Sequence, residues 1–294
     1  MKHRHLENAK KAKNDEFYTL FADVEAELSH YTEHFRGKTV YCNCDDPTKS
    51  AFWEYFHKNF SKLGLKKLIA SCYNPENQAH YFVYTGGGDS DIELLGKYSL
   101  EGNGDFRSQG CIELLKKADI VCTNPPFSLF REYIAQLIEY GKKFIIIGNK
   151  NAITYKEFFS SIQNGNIWIG YGSPSEFDTP EGITQKINGL SRWFINMGIK
   201  KHYEKLIFWK KYSEAEYPKY DNFDAINVDK VSDIPCNYDG IMGVPITFLD
   251  KYNPEQFEIV GKFDTGSAKN DLDLAKPMIN GKAKYKRLAI RRKL

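Results

Sequence analysis

Two rhythms of apolar and polar positions alternate along the first two thirds of the chain. Continuous apolar runs, "KTVYCNC" (38–44), "KKLIASC" (66–72), "ADIVCTN" (118–124) and "KKFIIIGN" (142–149), read as strands buried on both faces. Between them, apolar residues recur at helical spacing in "SAFWEYFHKNFSKLG" (50–64), "SQGCIELLKKA" (108–118) and "SLFREYIAQLIEYG" (128–141). The last of these helices is expected to be capped by Ser128 and closed by Gly141. A further helix is expected over about 15–35, with Phe17, Leu20, Phe21, Val24 and Leu28 on one stripe. The stretch 79–101 reads as an inserted hairpin turning at Gly86, Gly87 and Gly88. Strands alternating with amphipathic helices predict an α/β fold: a mainly parallel, twisted, Rossmann-like sheet flanked by helices, over residues 1–198. Beyond that point the rhythm fails. Residues 199–294 read as a smaller, loop-rich module with short strands such as "VPITFL" and "FEIVG".

In a parallel sheet, ligands bind outside the carboxyl ends of the strands. The loops after Cys44, Cys72, Thr123 and Gly148 are therefore the ones to inspect. One of them is "NPPF" (124–127). Neither Pro125 nor Pro126 has a backbone N–H, so the strand must stop there. A simple strand terminator would look similar, but the motif also matches a chemical need. The exocyclic amino group of adenine is a poor nucleophile because its lone pair is delocalised into the ring. Alkylation requires both amino hydrogens to be held by acceptors, which the Asn124 side-chain carbonyl and the Pro125 backbone carbonyl can supply. Pro126 stiffens the backbone that aims the second carbonyl, and Phe127 can stack on the base.

Composition narrows the class without deciding it. The chain has 294 residues, 41% hydrophobic and 27% charged, which describes a globular protein rather than a disordered one. Aromatic residues make up 15%, enough to supply stacking platforms as well as core. A formal charge of +3 permits nucleic-acid binding without demanding it, and Lys and Arg gather at both termini. At the C-terminus "YKRLAIRRK" alternates apolar and basic residues, which predicts a strand with a cationic face. Six cysteines show no paired framework, so free thiols are expected, and the lone C-x-C of "YCNCDD" lacks a second ligand pair for zinc. No metal site is expected. No secretory h-region and no run of 18 apolar residues is present, so a cytoplasmic, non-membrane protein is expected.

Taken with "NDEFYT" (14–19), "VYCNCDDP" (40–47), "GDFRS" (104–108) and "GVPITFLDKYNPEQF" (243–257), "TNPPF" resembles the EcoRI-type family of adenine-specific DNA methyltransferases over nearly the whole chain. The resemblance implies S-adenosyl-L-methionine as cofactor and N6 of a flipped-out adenine in double-stranded DNA as acceptor. It leaves room for a cognate restriction endonuclease in the same system without implying a stable protein partner. It also implies catalytic roles for Asn124, Pro125, Pro126 and Phe127. Cofactor contacts are implied for Phe17, Tyr18 and Thr19, for Asn43, Asp45 and Asp46, for Asp105 and Phe106, and for Asn124. Two features depart from the usual methyltransferase pattern: no glycine lies between Cys42 and Pro47, and strand two ends in Cys72–Tyr73 without an acid. The resemblance places target recognition in residues 199–294. Competing readings are an RNA or protein-glutamine amino-methyltransferase using the same loop, and a non-catalytic nucleic-acid-binding protein on a methyltransferase-like fold.

Overall fold

The computed structural model describes residues 18–74, 79–87, 96–179, 183–186, 191–263 and 273–293. The chain forms two compact units, Met1–Ala152 with Ile169–Met197, and Ile153–Trp168 with Gly198–Leu294.

The first unit is organised by an eight-stranded sheet. In chain order its strands are β2 (Thr39–Cys42), β3 (Lys67–Ser71), β4 (His80–Tyr84), β5 (Gly96–Ser99), β6 (Ile120–Thr123), β7 (Lys143–Asn149), β8 (Trp168–Ile169) and β11 (Ser191–Ile195), arranged β5-β4-β3-β2-β6-β7-β11-β8. The four central strands are parallel, with Cys42 opposite Ala70 and Thr123 opposite Ile146. The register brings the ends of β2, β3 and β6 to one edge, as the four apolar runs require. β4 and β5 pair antiparallel on one side, as a hairpin requires, with Gly88 of the expected turn outside the described residues, and β11 closes β7 antiparallel on the other. A small antiparallel sheet joins β1 (Tyr18–Thr19), β9 (Glu176–Asp178) and β10 (Thr184–Lys186).

Helices α1 (Phe21–Leu28), α2 (Ala51–Lys58), α3 (Phe60–Leu63), α4 (Gln109–Lys117) and α5 (Phe130–Glu139) flank this sheet. Three expectations need correction. The helix expected over 15–35 begins at Phe21, because Tyr18–Thr19 pair with β9 as a strand, and it relaxes into a 3-10 turn from Ser29 to Phe35. Phe17 lies outside the described residues. Ser128 does not cap α5, since Phe127–Leu129 form a 3-10 turn of their own before the helix starts. Gly141 does close it, at φ +61.

In the second unit the strands β12 (Ile226–Asn227), β13 (Met242–Pro245), β14 (Phe257–Phe263), β15 (Asp273–Leu274) and β18 (Arg287–Arg292) form a sheet in the order β12-β13-β18-β14-β15. A two-stranded ribbon joins β16 (Met278–Ile279) and β17 (Lys282–Ala283). "VPITFL" is not one strand. It ends at Pro245 and turns into a 3-10 segment that buries Phe248 and Leu249. The basic strand β18 is central, and two of its three cations meet acids: Arg287 meets Asp229 at 2.7 Å and Arg291 meets Glu258 at 3.6 Å. The helix α6 (Lys156–Gln163), which the sequence reading places in the first domain, belongs to this unit. Its Phe158, Phe159 and Ile162 are buried, and the Gln163 amide donates to the carbonyls of Ile259 and Val260, both at 3.0 Å, where β14 bulges. Among the described residues no helix is long and apolar enough to cross a membrane.

Candidate active site

The last residue of β6 sets the geometry. Thr123 is buried, and its hydroxyl donates to Asp45 Oδ2 at 2.5 Å. Ser50, whose Oγ accepts from the Trp53 N–H as the N-cap of α2, donates its own hydroxyl to Asp45 Oδ1 at 2.7 Å. The Asp45 N–H reaches the carbonyl of Ser71 at the end of β3 at 3.1 Å. One carboxylate residue therefore joins three strand ends and a helix start. Burial pushes the Asp45 carboxyl up to about 6, against the two hydroxyl bonds that favour its charged form.

Immediately after Thr123 the two prolines break the ladder. Pro126 caps the 3-10 turn in which Leu129 N–H bonds the Pro126 carbonyl at 3.1 Å. Pro125 is buried, Asn124, Pro126 and Phe127 are half-buried, and the side-chain oxygen of Asn124 is buried within the site. Phe130 then anchors α5 on β7: a Cβ on Gly148 would lie 2.3 Å from its ring, so glycine is what allows this approach.

The loop after β2 gets its shape from side chains. Asp46 Oδ1 accepts from both the N–H and the hydroxyl of Thr48, at 2.9 and 2.7 Å, a local turn that leaves helix capping to Ser50 rather than Asp46 or Thr48. Asn43 is buried; its Oδ1 accepts from the Tyr133 hydroxyl of α5, while its Nδ2 has no partner among the described residues. Tyr133 was invisible as a site residue in the sequence, being one of the apolar stripe Phe130, Tyr133, Ile134 and Leu137. Lys49 reaches over the Tyr18 ring at 5.8 Å, which places β1 against this loop. The Thr19 hydroxyl is buried and also has no described partner.

The "GNGDF" loop packs on the end of β3. Gly104 has φ +79, and a Cβ there would lie 2.1 Å from the Cys72 carbonyl oxygen. Asp105 is held by Arg107, whose Nε and Nη2 donate at 2.9 and 2.7 Å, and this guanidinium keeps the Asp105 carboxyl below its usual range. Arg107 also bonds Glu132 of α5 at 2.8 Å. Phe106 is buried, edge-on to Tyr133 at 5.1 Å, and its carbonyl accepts from Gln136 at 3.1 Å. Its described contacts are those of a loop anchor. Tyr73, in the place where an acid is usual, is 49% exposed at the same sheet edge.

Among the described residues no cluster of His, Cys, Asp or Glu could hold a metal ion, and the six cysteines are free thiols. Cys42, Cys44 and Cys122 surround Asp45, and burial pushes each thiol well up.

The model of the family described as adenine-specific methyltransferase EcoRI matches residues 5–293. The type II methyltransferase M.EcoRI of Escherichia coli is 47% identical, over 98% of this chain and 96% of its own length. M.MgeORF184P of Mycoplasma genitalium is 39% identical over 98% of both chains. M.MpnI of Mycoplasma pneumoniae is 40% identical over 87% of this chain and 85% of its own. No solved structure matches the chain.

Proposed function

The chain belongs to the adenine-specific methyltransferase family of EcoRI, and from that premise we propose that it moves a methyl group from S-adenosyl-L-methionine to N6 of a flipped-out adenine in duplex DNA. The observation that carries the reading is the hydrogen bond from Thr123 to Asp45. It fixes the start of the Asn124–Phe127 loop directly on the loop that follows β2.

The residues at this edge suit the cofactor. Its carboxylate needs donors, and the Asn43 amide nitrogen and Thr19 hydroxyl are buried without described partners. Its ammonium needs an anion, and Asp45 is a buried carboxylate whose two described side-chain partners are neutral hydroxyls. Asp105, with Phe106 behind it, would accept from the adenine amino group, and Asp46 and Tyr18 would complete the wall. When bound, the cofactor supplies an electrophilic methyl on a sulfonium.

The chain's own part is orientation. The Asn124 side-chain carbonyl and the Pro125 carbonyl would take the two amino hydrogens, turning the N6 lone pair out of the ring. Phe127 would stack on the base, and Pro126 fixes the backbone that aims the carbonyl. Adenine inside a duplex is out of reach of such a loop, so the base must leave the stack at a cost of about a few kcal/mol. The second unit would hold the flanking duplex. Incubation with tritiated cofactor and unmethylated bacterial DNA, followed by sequencing for modified adenine, tests the reading. Label at one recurring motif is expected. Label in RNA or protein only, or none at all, overturns it.

A further inference from the structure

In the polar segment 217–227 of the second unit both asparagines are spent on the fold. Tyr220 donates to Asn227 at 2.9 Å, Asn227 donates to Asp229 at 3.0 Å, and Asn222 donates to the Lys276 carbonyl at 3.0 Å.

The segment just before it is different. Residues 205–211 ("KLIFWKK") run in neither helix nor strand, yet their backbone is pinned. The Gln256 side chain accepts from the Leu206 N–H at 2.6 Å and donates to the Leu206 carbonyl at 2.9 Å. The Lys210 carbonyl takes the Cys236 N–H at 2.8 Å, and Asn237 takes the Tyr212 N–H at 2.7 Å. Held this way, the ribbon alternates. Leu206 and Phe208 are half-buried, Phe208 edge-on to Phe257 at 5.7 Å, whereas Ile207 and Trp209 are 88% and 75% exposed. Tyr203, 51% exposed, stands at the start of the same stretch. Isolated exposed apolar residues need no explanation, but three within seven positions on a fixed backbone do. The charge around them narrows the partner. Residues 200–211 hold five lysines against one glutamate, in a chain whose whole formal charge is +3.

We propose that Ile207 and Trp209 form a wedge that enters a base step of duplex DNA, with Lys205 and Lys211 on the flanking phosphates. Apolar side chains between base steps are a known way to open and bend a duplex, and the lysines supply the sequence-independent attraction. Lys210 already meets Asp233 at 3.1 Å, so the charge offered to a partner is that of Lys205 and Lys211, which suits phosphates and would suit a protein surface only if that surface were acidic. The proposal rests on the DNA methyltransferase reading, because it needs a duplex as ligand.

The chain itself carries the probe. Of its four tryptophans, Trp53, Trp168 and Trp193 are buried, so acrylamide quenching of tryptophan fluorescence reports Trp209. Addition of a duplex carrying the mapped methylation site should protect this fluorescence. Trp209→Ala, at an exposed position, should bind that duplex about tenfold more weakly, while cofactor affinity stays within about twofold. Lys211→Ala should lower the slope of log affinity against log salt by about 0.9. Undiminished quenching in the presence of bound duplex, or wild-type duplex affinity in Trp209→Ala, overturns the wedge while leaving the methyltransferase reading intact. Protection that grows with protein concentration in the absence of DNA also overturns it, in favour of a contact between copies of the chain. Failure of the wild-type protein to methylate DNA would strike the underlying reading instead.

Discussion

Asp45→Asn puts the junction of the two loops to a direct test. In the folded protein burial raises the carboxyl from an ordinary 3.8 to about 6, so the fold holds this proton more tightly than the unfolded chain does. The sign follows. Asp45's contribution to stability is most favourable below pH 3.8, declines as pH rises, and levels off above about 6. The whole span corresponds to about 3 kcal/mol, of which about 2 kcal/mol falls between about pH 4.5 and about pH 7.5. Asparagine does not titrate there, keeps the volume, and can still bond Ser50 and Thr123 because both hydroxyls can reverse their direction. The groups facing Asp45 do not confuse the result. Asp46 is present in both proteins, and the thiols of Cys42, Cys44 and Cys122 and the Tyr133 phenol are pushed upward by burial and stay neutral. Urea unfolding of ligand-free wild type and variant at successive pH values gives the difference in unfolding free energy. It should fall by about 2 kcal/mol across that window, to the wild type's disadvantage. A difference that stays flat, within about 0.5 kcal/mol, would refute both the burial argument and the placement of this carboxylate. The same ionised group is the proposed ammonium acceptor, so cofactor affinity should rise with pH through about 6 in the wild type and stay level in the variant.

Four other substitutions separate chemistry from architecture. Asn124→Ala should lower the rate of methyl transfer by about 10²–10³-fold while cofactor affinity, read by calorimetry, changes only a few fold; normal turnover would remove the amide from the mechanism. Gly104→Ala should cost about 1–3 kcal/mol and weaken cofactor binding, because its Cβ would meet the Cys72 carbonyl, whereas Gly141→Ala, with similar positive φ but open space, should cost about 1 kcal/mol and leave binding alone. Glu27→Gln should destabilise the first unit by about 2 kcal/mol in urea, since the carboxylate accepts from the Tyr31 hydroxyl at 2.5 Å and from the N–H groups of Tyr171 and Gly172 at 2.8 and 2.6 Å, and an amide can accept at only one of its two ends.

What the sequence disclosed, and what it hid, follows from how each feature is encoded. The four parallel strands were legible because burial on both faces leaves continuous apolar runs, and the end of β6 was legible because two prolines stop a ladder in only one way. The start of α1 was not, because Tyr18 and Thr19 suit a helix stripe as well as a strand and only their pairing with Asp178 and Phe177 decides. α6 carries a helix pattern that any apolar surface would satisfy, so its membership in the second unit could not be read locally. Tyr133 looked like core and is core; its site role comes from one hydroxyl meeting Asn43 across 90 residues of sequence. The basic strand β18 was legible as a strand from its alternation; what could not be read locally is that Arg287 and Arg291 meet Asp229 and Glu258, which lie far away along the chain.

The missing glycines in the β2 loop have a structural counterpart. A Gly-rich turn holds its shape by backbone freedom and offers bare N–H groups to a ligand. Here the shape is held by three side chains instead: Asn43 tied to Tyr133, Asp45 to Ser50 and Thr123, and Asp46 to Thr48. Such a loop is stiffer in one respect and more connected in another. A glycine turn could move without consequence elsewhere, but any shift of Asp45 must pull on Thr123, one residue before Asn124, the amide proposed to orient the base. Tyr133 closes the circuit from the other side, since it sits on the helix that follows the Pro-Pro turn and touches both Asn43 and Phe106. The loops proposed to hold the cofactor and to orient the base are thus two ends of one hydrogen-bonded assembly, and occupancy of the first should be felt in the placement of the second.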